Sequence, residues 1–264
     1  MVRRTDKPKQ RPRYAVPALD RGLDVLEALS ASAVPQTLTD LSRTLNYAPS
    51  GLFRLLTRLD TRGYVIRDAA SGRYSLSLKL FELSHTHSPV ESLVRAAAKP
   101  MRELAETVEE SVHLSVIHRG RLLVLLDAGS SSKVRISIEA GSQFAPVETT
   151  SGRLLLSYYP AEELVTLLAR DPEYGAMTAA KRRGFDRELN RIRRAGFAIT
   201  RSEERAGLVD LSVLVGNPAI GQASALAIAC IRRVTKAEIE DILAAMKQCA
   251  TKITRAQGLS EAAT

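Results

Sequence analysis

Apolar residues near the start of the chain recur three and four positions apart. Leu19, Leu23, Leu26 and Leu29 do so between Ala18 and Ala31, which predicts an amphipathic helix. A second helix is expected from about Thr39, taken as its N-cap, to Leu45, with Leu41 and Leu45 inward. Asn46-Tyr47-Ala48-Pro49 interrupts the pattern. A third helix, about Ser50 to Arg62, places Leu52, Leu55, Leu56 and Leu59 on one stripe. At about 100° per residue its opposite face carries Ser50, Arg54, Thr57 and Thr61, flanked by Phe53 and Arg58. Gly63 ends that helix. The period then changes to alternation. Tyr64–Arg67 and Arg73–Leu76 predict two strands around the turn Asp68–Gly72.

The order helix, helix, helix, hairpin is that of a winged helix-turn-helix. Ser77–Ser84 reads as a short connecting helix, broken at His85–Pro89. Val90–Glu110 is a long amphipathic helix interrupted only by Pro100. Strand patterns follow at Ser111–His118, Leu122–Ala128 and Lys133–Ile138. Helical patterns lie at Ser151–Tyr159, Ala161–Arg170 and Phe185–Arg194. Further strands are expected at Phe197–Glu203, Leu208–Val215 and Ala223–Ile231, then a closing helix Lys236–Gln257 capped by Thr235. Strands flanked by helices indicate an α+β domain. The expected division is a basic arm at 1–14, a winged helix-turn-helix at 15–76, a linker helix at 77–89 and an α+β domain at 90–264.

Charge sharpens this picture. The net charge is +9, and residues 1–73 hold thirteen Lys/Arg against seven Asp/Glu, so six of the nine positive charges lie there. Such a concentration suits a polyanionic partner. Cys230 and Cys249 offer neither a disulfide framework nor metal spacing and read as buried thiols of a cytoplasmic protein. No apolar run is long enough to span a membrane, and the basic N-terminus lacks the apolar segment of a secretory signal.

The third helix has the make-up of a double-stranded-DNA reader, because its outward face carries short polar side chains and arginine. Arg54 can take a guanine edge by two hydrogen bonds, Ser50 a phosphate or base edge, and Phe53 a thymine methyl. Arg67 and Arg73 fall on the wing, over backbone or minor groove. The 1–14 arm adds salt-sensitive phosphate contacts. Two competing readings are weaker. An enzyme using Ser151 or Asp210 lacks any recognisable base partner for Ser151. A winged helix that binds protein is opposed by Arg54, Arg67, Arg73 and the arm. His113 and His118, five apart on one strand, point to opposite faces and suggest neither metal binding nor catalysis. No cofactor motif occurs.

Several stretches in order carry a family resemblance: ALDRGLDVLEAL, LTDLSRTLNYAPSGLFRLLTRLDTRGYVIRD, GRYSLSLKLFEL, ESVHLSVIHRGRLLVLLDAG, TTSGRLLLSYYPAEEL, LNRIRRAGFAI and EERAGLVDLSV. The chain resembles the isocitrate-lyase-regulator (IclR) family of bacterial transcription factors from about Ala15 to Gly258. That resemblance implies a GAF-like C-terminal domain that binds a small organic effector. It also implies a homodimer through the N-terminal regions, often a dimer of dimers, and hence a palindromic operator. Repression is the expected sign, but repressors and activators use the same parts, so the sign stays open.

The resemblance also places effector-facing positions. FAPVETTSGRLLL puts Phe144, Thr150 and Ser151 there, just before a helix starting near Gly152, whose backbone N–H groups suit an anionic group. AITRSEERAGLVDLSV adds Thr200, Leu208 and Asp210. ASALAIACIRR adds Ala227 and Ala229, where the family commonly has two serines. The family often has an acid near Thr200, an arginine at Val209 and a cysteine at Asp210, and this chain has none of them. Two hydroxyls are lost and a carboxylate is gained. A carboxylate there would repel a carboxylate ligand and favour hydroxyls or an amine. Alternatively, Asp210 pairs with Arg201 or Arg205 and meets no ligand.

Overall fold

A computed structural model describes residues 16–85, 89–132, 135–201, 208–230 and 234–259. The 1–14 arm, the linker centre at 86–88, and Arg205 lie outside them. The chain divides into two compact units, residues 1–88 and 89–264.

The first unit contains α1 (Pro17–Ser30), α2 (Leu38–Leu45), α3 (Pro49–Thr61), β1 (Val65–Arg67), β2 (Tyr74–Leu76) and α4 (Lys79–His85). Val25, Leu29, Leu41, Leu52, Leu56, Val65 and Tyr74 form its core. The N-cap of α2 is Thr37, not the expected Thr39. Thr37 and Asp40 make a reciprocal capping box, which puts Thr39 inside the first turn. Asn46 closes α2 in the left-handed region at φ 54°. Gly63, at φ 77°, closes α3: its N–H bonds Asp60 O, and the Tyr64 N–H bonds Leu59 O. The leucines that recur along α1 divide between core and surface. Val25 and Leu29 are buried, whereas Leu19 and Leu23 are 58% and 48% exposed. The helix is apolar on two sides, and this unit's core covers only one.

The second unit contains α5 (Pro89–Val108), β3 (Val112–His118), β4 (Arg121–Ala128), β5 (Gln143–Phe144), α6 (Thr150–Leu156), α7 (Ala161–Leu168), α8 (Pro172–Ala176) and α9 (Ala179–Ala195). After these come β6 (Phe197–Arg201), β7 (Val209–Asn217), a 3-10 turn, β8 (Gln222–Cys230) and α10 (Lys236–Ala256). The six strands form an antiparallel sheet in the order β5-β4-β3-β8-β7-β6. Alternation along the strands separates its two faces. Val112, Leu114, Leu211, Val213, Leu226 and Ile228 pack under α5 and α10 in the main core. The residues between them, including His113, Ser115, Asp210, Ser212 and the alanines of β8, turn to the face where Ala225 and Ala198 pack with Leu154 and Leu155 of α6.

Residues 135–138 are not a strand, and Lys133 and Val134 lie outside the described residues. The expected alternation is present, with Ile136 and Ile138 half-buried, but the segment has no ladder partner. The edge strand beside β4 is β5, with Leu122 opposite Phe144. The short α8 has no periodic signal and is capped by Asp171, which accepts from the Glu173 and Tyr174 N–H groups.

Candidate functional site

On α3, Leu52 and Leu56 are fully buried, while Ser50, Phe53, Arg54, Thr57, Arg58 and Thr61 are exposed on the other side. The Thr57 and Thr61 hydroxyls donate back to the carbonyls of Phe53 and Thr57, at 2.9 and 2.8 Å. On the hairpin, the Arg67 guanidinium lies 5.8 Å from the centre of the Tyr74 ring. Arg73 donates to Pro35 O at 3.0 Å, beside the bridge between Gln36 and Tyr74. Both arginines are exposed.

In the second unit a cavity of about 160 Å³ lies on the α6 face of the sheet. Strand register explains its walls. His113 on β3 stands opposite Ala227 on the neighbouring β8, and Asp210 on β7 stands opposite Ala229. Two alanines therefore form a floor between an imidazole and a carboxylate. Leu122, Val124, Ile138 and Phe144 supply an apolar wall, and Glu148 to Ser151 close the α6 end.

Of the nine residues expected at an effector, Phe144, Thr150, Ser151, Asp210, Ala227 and Ala229 line this cavity, and Gly152, Thr200 and Leu208 do not. Gly152 is buried inside α6, where an added Cβ would fall 2.1 Å from Pro146 O. Its role is to let the backbone of the preceding loop pass close by. Thr200 sits opposite Asp210 on β6, one strand farther from the floor. Leu208 precedes β7, which starts at Val209, so strand parity does not govern it. Thr150 and Ser151 are not ahead of α6 but are its first residues. Thr149 is the cap, accepting from the Gly152 N–H at 3.1 Å.

Sequence reasoning missed His113, Ser115, Glu148 and Thr149. The overlooked signal was parity. In VHLSVIH, His113 and Ser115 alternate with buried Val112 and Leu114. The neighbour of His113 is not His118 along its own strand but Asp127, directly opposite on β4. His113 Nδ1 lies 3.3 Å from Asp127 Oδ1, and the Ser137 hydroxyl donates to Asp127 Oδ2 at 2.9 Å. Burial pushes the Asp127 carboxyl up. The bonds from His113 and Ser137, with the charges of His113 and Arg135, outweigh that and hold it below its ordinary value. Asp210 goes the other way: burial raises it, and the His113 charge offsets this only in part. Among the described residues Asp210 makes no ion pair, Arg201 included. The Thr150 Oγ1 is buried with no hydrogen-bond partner among the described residues. Among those residues no cluster of three or more metal-ligating side chains occurs.

A wider depression of about 1150 Å³ lies near Arg193, Arg194 and Lys247 and contains none of the expected effector residues. Cys230 and Cys249 are both buried free thiols, and burial pushes Cys249 up to about 11.

Comparison with known proteins agrees with this arrangement. Residues 18–69 match the IclR helix-turn-helix domain, and residues 88–255 match the bacterial transcriptional regulator IclR C-terminal domain. The chain is 26% identical over 246 residues to the glycerol operon regulatory protein of Streptomyces coelicolor, covering 92% of this chain and 97% of that one. It is 26% identical over 212 residues to the transcriptional repressor AllR of Klebsiella pneumoniae, covering 78% of each. Among solved structures it resembles an IclR homologue from Microbacterium hydrocarbonoxydans complexed with 4-hydroxybenzoate. That match has a TM-score of 0.77 at 21% identity and covers 91% of this chain and 99% of that one. It also resembles the IclR of Thermotoga maritima, with a TM-score of 0.68 at 20% identity, covering 91% and 98%. With its two domains matched in order over most of its length, the chain belongs to the IclR family of bacterial transcriptional regulators.

Proposed function

We propose that the protein is a DNA-binding repressor whose operator affinity is set by a small organic molecule held in the cavity beside α6. The observation that carries the DNA half is the two-sided character of α3, leucines buried on one side and Arg54 among short polar residues on the other. In this reading α3 enters the major groove. Arg54 reads a guanine, Ser50, Thr57, Arg58 and Thr61 meet bases or phosphates, and Phe53 packs on a thymine methyl. Arg67 contacts backbone from the wing. Arg73 uses donors beyond the one committed to Pro35. The basic 1–14 segment adds phosphate neutralisation.

Exposed apolar side chains on α1 (Leu19, Leu23) and α4 (Leu80, Phe81, Leu83) support pairing of two copies through the first unit. Two-fold pairing makes the operator palindromic, with recognition helices about 34–36 Å apart. A dimer of dimers extends the same scheme. The homologue solved with 4-hydroxybenzoate supports a small metabolite as the effector class. An effector that binds the DNA-competent and DNA-incompetent arrangements unequally shifts operator affinity by linkage, with residues 77–89 as the connecting segment.

A gel-shift titration tests this reading, using the DNA upstream of the protein's own coding region at several salt concentrations, with Arg54→Ala alongside. Specific, salt-steep retardation by the wild type, weakened roughly tenfold or made less selective in the variant, is the expected result. Absence of retardation by either protein at low salt would overturn it.

A further inference from the structure

The cavity's charge and burial say what kind of molecule fits. We infer that the effector is a ring-sized molecule with an apolar body and a hydrogen-bond-donating head, hydroxyl or amine, that meets Asp210, and that a carboxylate head is refused there. This deepens the reading of the cavity as the effector site and rests on it.

Three observations point the same way. The first is composition. Among the described residues the lining includes the carboxylates of Asp210 and of the exposed Glu148 but no lysine or arginine. The imidazole beside them, His113, is already engaged by Asp127 through Nδ1 at 3.3 Å. An incoming carboxylate therefore meets two carboxylates of its own sign and one imidazole that is shared. An ammonium or hydroxyl donor meets complementary charge.

The second is satisfaction of polar groups, half-buried at Asp210 and buried at Thr150. Asp210 has no hydrogen-bond or ion-pair partner among the described residues, and burial disfavours its charge. Thr150 is 6% exposed, lines the same cavity, and its Oγ1 has no partner among those residues. Buried polar groups are ordinarily paired. A ligand with a donor at one end and a polar edge near Thr150 would pair both.

The third is size and wall chemistry. The volume is about 160 Å³, small beside the ~300 Å³ at which pockets for drug-sized ligands begin. It is close to the ~150 Å³ apolar cavity known to admit benzene. Leu122, Val124, Ile138 and Phe144 supply the apolar lining such a body needs, and the methyls of Ala227 and Ala229 leave its depth open.

The test uses benzylamine, benzyl alcohol and benzoate, which share a ring and differ in the head. Binding to the full-length protein is measured by calorimetry and thermal shift, for wild type, Asp210→Asn and Thr150→Val, each first checked for folding by circular dichroism. The amine and alcohol are expected to bind at least tenfold more tightly than benzoate. Asp210→Asn should erase the preference for the amine, whereas Thr150→Val, which leaves Asp210 in place and removes no partner of an unsubstituted ring, should keep it. Benzoate binding as tightly as benzylamine would overturn the inference while leaving the cavity as an effector site. So would a wild-type preference left unchanged in a folded Asp210→Asn. If none of the three binds, both the inference and the cavity's assignment fall.

Discussion

The outward face of α3 and the cavity beside α6 are assembled in opposite ways. The α3 face is a single helix. Every residue proposed to read bases lies between Ser50 and Thr61, and the geometry follows from 3.6 residues per turn. The cavity draws His113, Phe144, Thr150, Asp210 and Ala227 from five separate elements, brought together by strand register. A site within one element depends on local propensity. A site shared among several elements depends on the packing that holds them together.

That difference predicts how each region responds to substitution. The largest effect is expected at Gly152, which touches no ligand in this scheme but underlies the cavity. Gly152→Ala pushes a Cβ into the Pro146 backbone and should cost about 3 kcal/mol in chemical denaturation of the second unit. A loss well below ~1 kcal/mol would show that the loop moves freely and that close packing is not its role. Next is Arg54→Ala, which should remove about 1–3 kcal/mol of discrimination between operator and scrambled DNA with no change in melting. A drop in stability would instead make Arg54 structural. Thr37→Ala removes the capping box and should lower the first unit's stability by about 1 kcal/mol, leaving any cavity-ligand binding as it was. Coupling between the two would break the comparison.

The smallest effect is expected from Asp210→Asn on the ligand-free protein. Burial raises the folded carboxyl above its unfolded value of about 3.9, so folding opposes its ionisation. The destabilisation is absent below about pH 4 and grows as pH rises through the unfolded and then the folded value. The variant should therefore be slightly more stable at pH 7 and equal to wild type near pH 3. Urea midpoints at the two pH values check the sign.

The same contrast explains what was legible in the sequence. The helix order, the hairpin and the face of α3 follow from spacing and punctuation, down to Gly63 at the end of α3. The error within that unit is local, Thr39 for Thr37 as a cap, and spacing alone does not show that α1 has two apolar sides with Leu19 and Leu23 exposed. In the second unit, parity marks which residues share a face but not which strands are neighbours. Asp210 and the alanines follow from family resemblance, while the pairing of His113 with Asp127, 14 residues away on the next strand, is invisible to a comparison of positions along one strand. Residues 135–138 alternate as a strand would, yet Ile138 lines the cavity and Ser137 bonds Asp127 through their side chains without joining the sheet.

The alternation that separates the faces of β3, β7 and β8 has a consequence for how such a regulator can change its diet. Neighbouring codons answer to different selection. A change at Leu114, Leu211 or Ile228 is tested by whether the chain folds at all. A change at His113, Asp210, Ala227 or Ala229 alters the lining and leaves that core untouched. Ala227 and Ala229 are the most permissive of these, since a hydroxyl or a methyl added to either reshapes the floor without removing any packed group. Lineages can thus drift from one signalling molecule to another along a path of folded intermediates, while the DNA-reading unit keeps its target.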